Sequence, residues 1–151
     1  MKKAKRILVG LKNHEEAVPL TDFACRVGAH GAWLFLVHVI ELPDITPLDA
    51  DVPVLEAEAE KTIRAARRLA KRSGMNVSAQ IVRAHSAGQA LLAELKENRI
   101  DLLVLGSHRR KTLGEVLLGT THDFLARRAT CEVLLHIPAK EARAARASKA
   151  A

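Results

Sequence analysis

Aromatic side chains are scarce in this sequence: Phe23, Trp33, Phe35 and Phe124 make up 3% of 151 residues, and there is no tyrosine. Binders of single-stranded nucleic acid stack bases on such rings, so that equipment is missing, and the core has to be aliphatic. Only two cysteines occur, Cys25 and Cys131, each among apolar neighbours and with no CxxC pair. This excludes a disulfide-built scaffold and predicts buried, inert thiols in a reducing compartment. No apolar run approaches the ~20 residues of a membrane span. The basic start Lys2-Lys3-Ala4-Lys5-Arg6 is not followed by the apolar core of a signal peptide, so a cytoplasmic protein is expected. No HxxxH pair, GxSxG elbow or Walker A loop is present.

What is present is a single-domain complement of apolar and charged residues, 48% and 27%, with 24 Lys and Arg against 17 Asp and Glu. The resulting charge of +7 suits anionic partners without specifying one. Apolar runs of strand length alternate with helix-period segments. Ile7–Leu11, Trp33–Leu42, Val77–Val82, Leu102–Leu105 and Val133–Ile137 read as strands. Helical spacing links Ala17, Leu20, Ala24, Val27 and Gly28. A long amphipathic helix is predicted from Val54 to about Ser73, with Leu55, Ala59, Ile63, Ala66 and Leu69 on its stripe and Gly74 ending it. Ser86 with Gln89 predicts a capped helix from Ala87, and Thr121–Arg128 a short one. Residues 1–138 form the predicted domain. Residues 139–151, only Ala, Lys, Arg, Glu and Ser, read as a charged, solvated tail.

The order β-α-β-α-β-α-β-α-β, with strands apolar on both faces, predicts an α/β fold: a parallel five-stranded sheet between two helical layers. Ligands of such sheets bind beyond the carboxyl ends of the strands, where strand order reverses. The tips available are Leu11-Lys12-Asn13, Val39-Ile40 and Gly106-Ser107-His108.

The segment richest in chemistry runs from Gly106 to Thr121. It leaves a strand, carries the cations Arg109, Arg110 and Lys111, and ends in Gly119-Thr120-Thr121 at a helix start. Glycines let backbone approach a ligand, and a helix start offers amides and the positive end of the dipole to an anion. The plainer reading is that Thr120 caps its helix and the cations are solvated. His14, His108 and His122 follow strand tips or open the motif helix; their spacing fits no metal site, and none is expected. His38 and His136 read as core or interface histidines, His30 and His85 as loop residues. Asp101 lies at the wrong end of a strand to act as a general base, and Asp22 and Asp123 lie on helices, so no enzyme activity beyond slow ATP hydrolysis is expected.

From Arg6 to about Pro138 the chain resembles the universal stress protein family, in its opening RILVGL, WLFLVHVIE, DLLVLGS, the spacing to GTT, and RRATCEVLLHI. The resemblance implies the three-layer, adenine nucleotide alpha hydrolase-like sandwich with strand order 3-2-1-4-5. It implies a cytoplasmic stress-response module with a cleft for ATP or another adenine nucleotide. Gly106, Gly119 and Thr120 fall on the family's Gly-x2-Gly-x9-Gly-Ser/Thr motif. With Thr121 and the first-strand tip Leu11-Lys12 they would frame the cleft, and the Val39 backbone would meet the adenine. A homodimer through the last strand, Glu132 to Ile137, is implied as well. Two residues depart from the pattern: Arg109 replaces the motif's second glycine, and Lys12 replaces the acid that bonds ribose hydroxyls. Lys12 and Arg109 either hold phosphate through side chains or fill the cleft. Two further classes stand beside a nucleotide module: a regulatory subunit docking on a protein such as a transporter or enzyme, and nonspecific nucleic-acid binding by the basic surface, which the missing motifs disfavour.

Overall fold

The computed structural model describes residues 2–107 and 119–139. Along the chain run β1 (Ala4–Leu11), α1 (His14–Val27), β2 (Gly28–Glu41), α2 (Pro53–Arg72), β3 (Asn76–Ala84), α3 (Ala87–Glu97), β4 (Leu102–Gly106), α4 (Thr120–Arg128) and β5 (Glu132–His136). The strands form one parallel sheet in the order β3-β2-β1-β4-β5. The chain builds β1, β2 and β3 to one side and β4 and β5 to the other, so order reverses between β1 and β4. That crevice is the switch point.

The apolar runs produce this arrangement because their residues alternate between two buried faces. Ile7, Val9 and Leu11 face α1 and α2, together with Leu34, Leu36 and Val104. Leu8, Phe35, Val37, Leu103 and Leu105 face α3 and α4, where Leu91, Leu95 and Leu125 close the layer. Gly10 allows close packing between β1 and β4: a Cβ there would lie 2.8 Å from Leu105 Cδ2. The two edge strands are less covered than a uniformly buried sheet would have them. Ser78 and Gln80 of β3 are exposed, as are Glu132 and Val133 of β5.

Helix ends follow local chemistry. Ser86 Oγ accepts the Gln89 N–H, as its capping-box spacing predicts, and Gly74 takes φ +78° just beyond α2. Three sequence expectations change. The second strand begins at Gly28 rather than Trp33, which places His30 in a strand and not a loop. Leu55 leaves the buried stripe of α2 and is exposed. Cys25 and Cys131 are free but half-buried; burial still pushes both thiols above the ordinary value.

Candidate functional site

The site is assembled from the ends of β1, β2 and β4 and the start of α4. Leu11 ends β1 in the core, with Lys12 exposed immediately after it. His38 of β2 registers with Leu11, so the half-buried Val39 stands one residue beyond the β1 tip. Gly106 ends β4 next to β1. Gly119 is the N-cap of α4, and Thr120 and Thr121 contribute its first amides, which have no carbonyl partner within the helix. Thr120 is therefore not the cap. Arg109, like the rest of 108–118, lies outside the described residues, as does the tail from Lys140.

Three contacts tie these pieces together. His122, at the third position of α4, bridges both motif glycines. Its Nδ1 accepts the Gly119 N–H at 3.3 Å, and its Nε2 lies 2.7 Å from the Gly106 carbonyl. A carbonyl accepts only, so the ring is the neutral Nε2–H tautomer with Nδ1 as acceptor. The helix start is thereby fastened to the β4 tip. At β1, His38 Nδ1–H donates to the Leu11 carbonyl at 2.8 Å from a buried position.

The third contact involves a residue the sequence reading passed over. Glu16 lies in the first turn of α1. Its Oε1 accepts the Lys12 N–H at 2.5 Å, and its other oxygen lies over Gly106, where any Cβ would collide with it. A carboxylate thus stands in the β1/β4 crevice itself. The available signal was Asn13-x-x-Glu16, the spacing of a capping box. Asn13 Oδ1 does accept the Glu16 N–H at 3.1 Å, while the Glu16 side chain reaches one residue further back than the motif requires. Glu15 and Glu16 also complement the positive end of the α1 dipole.

His14, half-buried at the head of α1, has an Nδ1 without a hydrogen-bond partner. Among the described residues no group of three or more His, Cys, Asp and Glu is placed to hold a metal. Asp101 accepts the amides of Lys5 and Arg6 at the amino end of β1, far from the strand tips. His136 stacks on Phe23 with centroids 4.6 Å apart.

Burial holds His38 below the ordinary imidazole value, outweighing the Leu11 carbonyl and the nearby Glu58, which favour the cation. His136 is lowered by burial and then by Arg26. Both groups bind protons more readily in the unfolded chain. Stability should therefore hold above the unfolded value of 6.5 and fall as pH drops through it toward the lowered folded values. The slope is at most about 1.4 kcal/mol per pH unit for His38. Urea unfolding midpoints at pH 7.5 and 5.5 check this: the lower pH should give the lower midpoint, with a smaller gap in His38→Gln. Equal midpoints would refute it.

The fold built around this switch point is shared with known proteins. The model of the universal stress protein family aligns with residues 3–136. The chain belongs to this family. It is 29% identical over 136 residues to universal stress protein A homolog 2 of Coxiella burnetii, covering 86% of this chain and 92% of that one. Among solved structures, the universal stress protein of Archaeoglobus fulgidus superposes with a TM-score of 0.69 at 17% identity, covering 89% of this chain and 98% of that one. A structure of the Archaeoglobus fulgidus protein in complex with dAMP gives 0.63 at 16%, covering 86% and 95%. At such identities the structural likenesses establish the fold. Among the described residues, no helix is long and apolar enough to cross a membrane.

Proposed function

We propose that this universal stress protein is a binding module for an adenine nucleotide, held at the β1/β4 switch point and read out by protein partners rather than turned over. The observation that carries the reading is the clasp formed by His122. It sets the start of α4, with the amides of Thr120 and Thr121, against the β4 tip at Gly106. Backbone amides converging at a helix N-terminus beside a sheet crevice are suited to phosphate. Val39 offers backbone at the neighbouring tip for a base. Relatives of the same fold support the ligand class: one structure is of a complex with cAMP and another of a complex with dAMP. Lys12 adds a cationic side chain where the family's pattern has an acid, and Arg109, outside the described residues, stands in sequence where the motif has its second glycine. The module acts in the cytoplasm as a homodimer paired through Glu132 to Ile137, an edge strand that the sheet leaves open.

A second reading, a regulatory dimer that holds no nucleotide, is favoured by one observation, the Glu16 carboxylate in the crevice. Isothermal titration with ATP, ADP and AMP separates the two. The nucleotide reading expects micromolar binding, lost by at least tenfold in Gly119→Val, whose branched side chain crowds the ligand approach. Absence of heat with all three nucleotides would leave the regulatory reading.

A further inference from the structure

Half of the large apolar side chains exposed among the described residues fall within eleven positions: Ile45 (94%), Leu48 (42%), Val54 (80%) and Leu55 (45%). Scattered exposed apolar residues are ordinary, whereas a cluster on one short segment marks an interaction surface. These four lie on the connection between β2 and α2 and the first turn of α2.

The segment is built to hold its shape. Pro43, Pro47 and Pro53 restrict its backbone, and turns close at Thr46 N–H to the Pro43 carbonyl (2.9 Å) and Ala50 N–H to the Pro47 carbonyl (3.1 Å). Arg83, near the end of β3, gathers it from below. Its guanidinium donates to the Leu48 carbonyl at 3.1 Å, to the Ala50 carbonyl at 2.5 Å and to the Glu56 carboxylate. One cation thus brings the middle of the loop and the start of α2 together, with Leu48, Val54 and Leu55 carried beside it. A preorganised surface of this kind loses little entropy on binding.

Charge identifies the occupant. The chain carries +7 overall, yet no Lys or Arg occurs between Arg26 and Lys61, while six acids lie between Asp44 and Glu60. Asp44, Asp49 and Asp51 are exposed around the apolar positions. A cationic partner is repelled by the protein's overall positive charge and drawn to this acidic segment. We propose that the β2–α2 connection is a docking surface for a cationic amphipathic segment of another protein, its apolar residues meeting Ile45, Leu48, Val54 and Leu55 and its Lys or Arg residues meeting the surrounding aspartates.

The test uses the full-length protein and an 18-residue helical peptide made only of Leu and Lys, with a Leu/Glu peptide of the same pattern as control. Amide chemical-shift mapping and isothermal titration at low salt are the readouts. The expected result is saturable binding of the Leu/Lys peptide with shifts confined to residues 43–58. Affinity should fall at least tenfold in Ile45→Ser/Val54→Ser and in Asp49→Asn/Asp51→Asn, all at exposed positions where the fold is insensitive. No binding, equal binding of the Leu/Glu peptide, shifts spread elsewhere, or unchanged affinity in either double variant would overturn the proposal. So would a sedimentation result in which Ile45→Ser/Val54→Ser splits an oligomer, because the occupant would then be a second copy of this chain.

Discussion

Glu16→Gln should tighten binding of ATP at least tenfold while leaving adenosine nearly unchanged. The carboxylate stands between the Lys12 amide and Gly106, in the crevice where the sheet directs a ligand. A phosphate charge brought to about 5 Å from it meets a repulsion of about 3 kcal/mol at the effective dielectric of a protein surface. Solvent screening at a half-buried site reduces that, and about 1.4 kcal/mol, or tenfold, is a conservative remainder. Glutamine keeps an acceptor for the Lys12 N–H. Adenosine carries no phosphate and serves as the internal control. Titration of both ligands into both proteins decides the matter. A loss of ATP affinity in Glu16→Gln would instead make the carboxylate a ligand contact, an acceptor for ribose hydroxyls.

The second large effect concerns the sheet that positions the crevice. Leu103 is fully buried in the middle of β4, between β1 and β5, and packs in the layer with Leu91, Leu95 and Leu125. Leu103→Ala removes that packing and leaves a cavity, at a cost of about 2–5 kcal/mol. For a chain of this length, a loss of about 3 kcal/mol lowers Tm by about 6–12 °C. Ile81→Ala, on the exposed side of edge strand β3, should cost about 1 kcal/mol or less. Thermal unfolding of the two variants beside the parent checks the contrast; equal losses would mean that the layers carry stability differently from the buried faces described above.

The layered architecture was legible because β1, β2 and β4 carry near-continuous apolar runs, which a sheet covered on both sides buries. The strand order was not legible from periodicity; it came with the family resemblance. Where prediction slipped, the local signal was weak. Gly28 fits the helical spacing of α1 but is its C-cap and opens β2, so the helix appeared to run on and β2 to begin at Trp33. Leu55 fits the helical stripe of α2 by spacing, but the stripe begins only where the helix reaches the sheet, and Leu55 lies before that point.

The glycines and threonines of the candidate site were legible as a motif, whereas the two side chains that organise it were not. His122 matters because a single neutral ring spans Gly106 and Gly119, residues brought together only by the fold. Glu16 matters because the first turn of α1 folds back over the β1 tip. Both lie three positions into a helix, after Gly119 and Asn13 respectively. A side chain at that position returns to the helix start, so it reaches whatever strand tip precedes or adjoins the helix.

The most direct measurement is amide chemical-shift mapping of the full-length protein titrated with ATP. Binding at the switch point should move the amides of Leu11, Lys12, Val39, Gly106, Thr120 and Thr121 together with a common dissociation constant, and leave β3 and α2 still. Shifts scattered over the basic helix surfaces at Arg64, Arg67 and Arg68, or none at all, would contradict a nucleotide site between β1 and β4.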